Sequence, residues 1–135
     1  MDSVSAELRS INMRKIRSRD TLPERVVRSA AHSLGFRFRL HRKDLPGKPD
    51  LTFPRHHKVI FVHGCFWHQH AGCREGRAPS TNSSYWTPKL ARTVERDTLS
   101  RAELERLGWS VLVVWECETE VADALRRALS AFLRP

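Results

Sequence analysis

Long apolar runs are missing from this 135-residue chain. The two strongest, KVIFV and VLVVW, fall far short of the roughly 20 residues that a membrane span requires. The opening MDSVSAELRS has an acidic second residue and lacks the positive start, apolar middle and small-residue cleavage site of a secretory signal. Cysteine is sparse and odd in number, at three, so a disulfide framework is not expected. A cytoplasmic location is expected, where thiols serve as core filler, metal ligands or nucleophiles. Acids are also scarce: 15 Asp and Glu face 24 Lys and Arg, a net charge of +9. Such a balance attracts polyanions, and nucleic acid is the first partner to consider. The arginines are spread along the chain with no basic amphipathic anchor or lipidation signal, so no membrane partner is expected. Repeats, low-complexity tracts and obvious linkers are absent too, and the length suits a single domain with one core.

What is present begins with a basic arm over residues 1–20, carrying Arg9, Arg14, Lys15, Arg17 and Arg19; residues 21–135 are read as one domain. Thr21-Leu22-Pro23-Glu24 reads as a capping box. Val26, Val27, Ala30, Ala31 and Leu34 follow at helical spacing, and Gly35 supplies a left-handed stop. Phe36, Phe38 and Leu40 alternate with Arg37 and Arg39, which predicts a strand with one buried face. After the turn-rich D44-L-P-G-K-P49, a short strand is predicted over Asp50–Phe53 and a more buried one over Lys58–Val62, joined by a hairpin around Pro54–His57. Thr87-Pro88 is read as the start of a long helix ending at Gly108. Ser110–Trp115 is a strongly apolar strand, and Val121, Ala124, Leu125, Ala128, Leu129 and Phe132 mark a last amphipathic helix. The order α, β, β, β, α, β, α implies an α/β fold, a mixed sheet flanked by helices, and resembles the core of the restriction-endonuclease-like fold.

The chemistry concentrates between Pro49 and Cys73. Asp50 opens a strand, where a carboxylate can meet a hard divalent cation such as Mg²⁺; the plain alternative is a turn aspartate. His63 and His68 follow the neighbouring strand, and neutral imidazole can take a proton from water near pH 7. Metal-assisted phosphodiester hydrolysis needs both parts. Glu24 and Asp97 read first as a cap and a solvated helix residue. Cys65, His70, Cys73 and distant Cys117 form a Cys₃His set suited to structural zinc; the alternative is a core Cys117 and two inert loop thiols. His41, His56 and His57 read as solvated loop or strand-end residues. Phe66, Trp67, Tyr85 and Trp86 would ordinarily be core, but beside a metal site in a basic protein they suit apolar wedges that unstack base pairs, as does Met13 in the arm.

These residues resemble the very short patch repair (Vsr) DNA mismatch endonucleases. The resemblance runs through N12-M-R-K-I-R-S-R-D-T21, L45-P-G-K-P-D-L51, V62-H-G-C-F-W-H68, V94-E-R-D97 and L107-G-W-S-V-L-V-V-W-E-C117. It implies that Asp50 and the backbone carbonyl of Val62 hold a catalytic Mg²⁺, with His68 as general base. His63, Glu24 and Asp97 would complete the catalytic shell, and Cys65, His70, Cys73 and Cys117 would hold Zn²⁺. Phe66, Trp67 and Trp86 would intercalate, Met13 would wedge from the opposite groove, and Lys89 would contact a base. The implied activity is a nick 5′ of the thymine in a T·G mismatch left by 5-methylcytosine deamination. The implied enzyme is a monomer acting on double-stranded DNA, with mismatch-repair proteins as further partners. H70-A-G-C73 is one residue longer than the family form, Thr93 stands where an amide is common, and the carboxylate-x-lysine half of the usual nuclease motif is absent. A zinc-stabilised binder of distorted DNA and a generic or junction nuclease of the same fold are the competing functions.

Overall fold

The Thr21 hydroxyl accepts from the Glu24 backbone N–H at 3.4 Å and opens helix α1 (Leu22–Ser33), which Gly35 closes at φ +89°. The computed structural model describes residues 21–76 and 79–134, so the expected basic arm and Met13 lie outside the described residues. Four strands follow: β1 (Arg39–Leu40), β2 (Leu51–Phe53), β3 (Lys58–His63) and β4 (Ser110–Trp115). Helix α2 (Ser83–Arg106) crosses from β3 to β4, and α3 (Ala122–Leu133) ends the described chain. The sheet order is β1-β2-β3-β4; the first two pairings are antiparallel and β3 with β4 is parallel.

Alternation along β3 decides the layers. Ile60 points to one face, where it meets Val27 and Ala31 of α1 and Leu125, Leu129 and Leu133 of α3. Val59 and Phe61 point to the other, against Leu104 of α2 and Leu45. A mixed sheet with helices on both faces results, as expected for strands separated by helical crossovers.

Several elements differ from the sequence reading. The strand predicted over residues 36–40 pairs only at Arg39 and Leu40, because β2 is three residues long and Pro54 beyond it has no N–H to offer. Phe36 and Phe38 keep their inward direction through edge contacts with Phe53, at 6.5 and 5.7 Å between ring centroids. Helix α2 starts at Ser83 rather than Thr87, with Pro88 inside it. Trp86 and Leu90 pack together with Phe66, which favours the additional turn, and the carbonyl that Pro88 leaves unpaired belongs to solvent-exposed Ser84. In α3, Leu133 joins the buried face, whereas Ala124, Ala128 and the preceding Val121 are exposed.

Pro46-Gly47-Lys48-Pro49 delivers the chain to Asp50 through a tight left-handed turn, with φ +73° at Gly47 and +50° at Lys48. A Cβ added at Gly47 would lie 2.8 Å from Ser100 Cβ and 3.1 Å from Phe61 Cζ. Gly47→Ala is therefore expected to destabilise by about 1–3 kcal/mol, through left-handed strain and the clash with α2. A denaturant titration checks this; an unchanged midpoint would contradict it.

Candidate metal and catalytic centre

Strand direction places the site. Asp50 precedes β2 and His63 ends β3, and the antiparallel register of β2 with β3 brings these termini to the same end of the sheet. The Val62 backbone N–H donates to Asp50 Oδ2 at 2.7 Å, which fixes the carboxylate against the strand. The amide rather than the carbonyl of Val62 is what touches Asp50 here.

Glu24 turns inward from the first turn of α1 and is 3% exposed. Its Oε2 accepts from Arg28 at 3.2 Å and lies 3.5 Å from His41 Nε2. His41 Nδ1 is 3.8 Å from Asp50 Oδ1. Glu24, His41 and Asp50 thus converge, each offering one ligand atom within 4.8 Å of the others. His41 was read as a solvated residue, and the structure corrects this: its backbone N–H bonds the Asp50 carbonyl at 3.2 Å, so pairing at the sheet edge carries it into the cluster. The period-two run Arg37, Arg39, His41 beside a strand-opening aspartate was the available signal.

A second group stands across the same cleft. His68 Nδ1 is 2.6 Å from Asp97 Oδ2, so an Nδ1–H donates to the carboxylate and Nε2 is left as the basic atom. His63 stacks on His68 with ring centroids 3.8 Å apart and planes 7° from parallel. Both groups, with Lys43, Lys48 and Gln69, line one cleft of about 820 Å³. The helix residue Asp97 is a member of the site rather than a surface charge.

Burial sets the electrostatics. It pushes the Asp50 carboxyl up to about 7, helped by the charge of Glu24 and opposed by the Val62 N–H and Arg28. It pushes the His63 imidazole down to about 4, aided by His68 and opposed by Asp97. His63 is therefore neutral at pH 7, and its buried Nδ1 has no hydrogen-bond partner.

The loop after β3 carries a third cluster. Cys65, His70, Cys73 and Cys117 each bring a ligand atom within 4.8 Å of the rest. His70 Nδ1 is 3.7 Å from Cys65 Sγ and 3.5 Å from Cys117 Sγ. Burial raises the Cys65 thiol well above its usual range, and Cys117 is raised for the same first reason. Cys117 sits in the 3₁₀ turn Glu116–Glu120 just after β4, which ties the loop to the sheet. Gly76 lies so close to the loop that an added Cβ would meet the His70 carbonyl at 2.2 Å.

Trp115, which the sequence reading took only as the end of a strand, joins two of these centres. Its ring stacks on His70 at 4.2 Å and meets His63 edge-on at 5.2 Å.

The aromatic residues form their own cluster. Phe66 and Trp67, adjacent in sequence, both reach Trp86, at 5.2 and 5.8 Å between ring centroids. Trp86 is 1% exposed and is the floor of this cluster, with Leu90 beneath it. Tyr85 packs on Trp86 edge-on, and the Lys89 ammonium stands 5.7 Å from the Trp67 ring centre.

The chain also matches known proteins along its sequence. Residues 1–74 match the family described as DNA mismatch endonuclease Vsr. The chain is 50% identical over 134 residues to the type II nicking enzyme V.XorIIP of Xanthomonas oryzae pv. oryzae, covering 99% of this chain and 98% of that protein. It is 39% identical over 133 residues to the type II nicking enzyme V.NmeAIP of Neisseria meningitidis, covering 98% and 94% of the two chains. With the DNA mismatch endonuclease Vsr of Escherichia coli K12 it shares 44% identity over 109 residues, 81% of this chain and 69% of that one. A match over more than half its length, through the segment that builds the Asp50 and His68 groups, makes this chain a member of the Vsr DNA mismatch endonuclease family.

Proposed function

We propose that this protein is a Mg²⁺-dependent DNA endonuclease that nicks one strand of a duplex 5′ of the thymine in a T·G mismatch. The observation that carries the reading is the pairing, in one cleft, of a carboxylate cluster able to hold a hard cation with a histidine already oriented by a carboxylate. The four strands and flanking helices suit a restriction-endonuclease-like core.

Asp50, with the Val62 carbonyl, would hold Mg²⁺, and Glu24 and His41 stand close enough to act on the ion or its waters. The ion, when bound, supplies Lewis-acid stabilisation of charge on the phosphate oxygens. His68 takes the proton from the attacking water through Nε2, while Asp97 holds the imidazole in that tautomer and stabilises the imidazolium. Neutral His63 packs His68 into position. Phe66, Trp67 and Trp86 would read the distorted duplex, although Trp86 is buried beneath its neighbours and needs them to part. Met13 and Lys89 complete the proposed DNA contacts.

Cys65, His70, Cys73 and Cys117 would hold Zn²⁺. Tetrahedral zinc with ordinary Zn–S and Zn–N bonds places sulfur and nitrogen about 3.6 Å apart. Distances of 3.5 and 3.7 Å bracket that value. Burial makes the Cys65 and Cys117 thiols resist ionisation without a cation, and thiolate ligands are what a bound metal stabilises.

Appearance of a nick in Mg²⁺ that stops with EDTA tests the catalytic reading; tight mismatch binding with no metal-dependent nick would select a DNA-binding module instead. The pH dependence follows from Asp50. Because its folded carboxyl titrates near 7 rather than at the ordinary 3.8, its contribution to stability is present at low pH and lost as pH rises through 7. A cation competes with that proton, so apparent Mg²⁺ affinity should fall up to about tenfold per pH unit below 7. The rise in melting temperature caused by Mg²⁺ should accordingly be larger at pH 8 than at pH 5.5; the reverse order would contradict this.

A further inference from the structure

A second concavity, of about 1030 Å³, lies at the hairpin end of the sheet, opposite the Asp50 cleft. Phe36 and Phe38 floor it, and Arg37, Arg39, Arg55 and Arg134 rim it. Among the described residues its lining holds no carboxylate and shares no residue with the cleft. None of the four guanidinium groups forms an ion pair with a carboxylate among the described residues. Positive charges gathered without counter-charge repel one another, and a polyanion relieves that repulsion.

One chain segment along the sheet edge contributes to both the groove and the cleft. Arg37 and Arg39 line the groove, while His41 and Lys43 line the cleft, so every second residue of this segment carries a basic group. An extended backbone rises about 3.3 Å per residue, so from Arg37 to His41, where the cleft begins, the track spans at most about 13 Å. That is the length of roughly four base pairs. The apolar floor is not open to a hydrophobic anchor: the Arg134 guanidinium lies 5.1 Å over the Phe36 ring and donates to the Leu34 carbonyl at 2.6 Å. The groove sets four guanidinium groups around a partly covered apolar floor, and that much charge without a counter-charge among the described residues favours a phosphodiester backbone.

We propose that this groove is a second DNA subsite, holding the phosphodiester backbone of the duplex within roughly four base pairs of the cleft. The proposal rests on the reading of the chain as a DNA endonuclease. Its substrate class is the flanking duplex irrespective of sequence, because phosphate contacts position without reading bases.

The test uses the whole protein and a double variant, Arg37→Gln with Arg55→Gln; both residues are exposed and lie outside the catalytic cluster. Binding to matched duplexes of about 10 and about 30 base pairs is measured in EDTA across a salt series, so that no cutting intervenes. The wild type should bind the longer duplex more tightly and with a steeper salt dependence. The variant should lose that excess, its slope on the long duplex falling by about 1.8, while binding to the short duplex and the melting temperature stay unchanged. Equal binding of both lengths by the wild type, or an unchanged slope in the variant, would overturn the subsite. Failure of the endonuclease reading would look different: length-dependent binding would persist with no nick in Mg²⁺.

Discussion

Replacing Asp50 with asparagine should lower the nicking rate by roughly a hundred- to a thousandfold or more, the scale on which preorganised charge acts in a water-poor site. Duplex binding should be retained or tightened. Asparagine keeps the shape of the side chain and can still accept the Val62 N–H, so the local fold survives. What is lost is the negative charge that faces Glu24 and His41 and can hold a cation. Removing an acid from a cleft that meets phosphates also removes repulsion, so affinity has no reason to fall. Single-turnover nicking and equilibrium binding, measured side by side, separate the two effects. Unchanged nicking would remove Asp50 from the chemistry, and lost binding would reassign it to structure.

The second large effect concerns the cysteine cluster. Stripping its metal, or substituting Cys117→Ser, should lower the melting temperature sharply and abolish nicking together. Structural zinc contributes roughly 10–16 kcal/mol of apparent folding free energy in zinc-finger peptides. Losing about 3 kcal/mol of such a contribution lowers the melting point of a domain this size by roughly 6–12 °C. Activity follows because His68 sits between Cys65 and His70 in the same loop, with its own N–H bonded to the Gly64 carbonyl at 3.1 Å. Trp115 adds a second link by stacking on His70 and touching His63. Metal analysis should return one zinc per chain. A fully folded, equally stable protein without metal would contradict the structural role.

The apolar strands β3 and β4 and helix α1 were legible in the sequence because their signals are local: short apolar runs, a cap and a closing glycine. The Cys₃His set was legible for a different reason, since ligand chemistry restricts which residues can serve. Asp97 was obscured because its partner is 29 positions away and meets it only through the α2 crossover. His41 was hidden by an edge-strand pairing that joins it to Asp50, and no composition rule marks that. Phe66 and Trp67 are neighbours in sequence, yet the turn geometry of the loop lets both rings reach Trp86, which no local pattern announces. Pro88 suggested a helix start one turn too late, because packing of Trp86 outweighed the local proline signal.

Two of the proposed roles make the cleft selective rather than merely reactive. On the proposed reading, the carboxylates and the histidine pair would supply hydrolysis on any phosphodiester that reaches them, whereas the aromatic cluster beside Lys89 would supply the discrimination. A mismatched pair is less costly to unstack than a matched one, so apolar side chains entering the stack favour it. Specificity should therefore appear in the substrate comparison itself.

The most direct measurement incubates the protein and Mg²⁺ with a duplex carrying one T·G mismatch and with its T·A counterpart, labelled on each strand in turn. The account predicts a single nick 5′ of the mismatched thymine, on that strand alone, and none in the matched duplex. Equal cutting of both duplexes, or no cutting of either across varied flanking sequences, would contradict it.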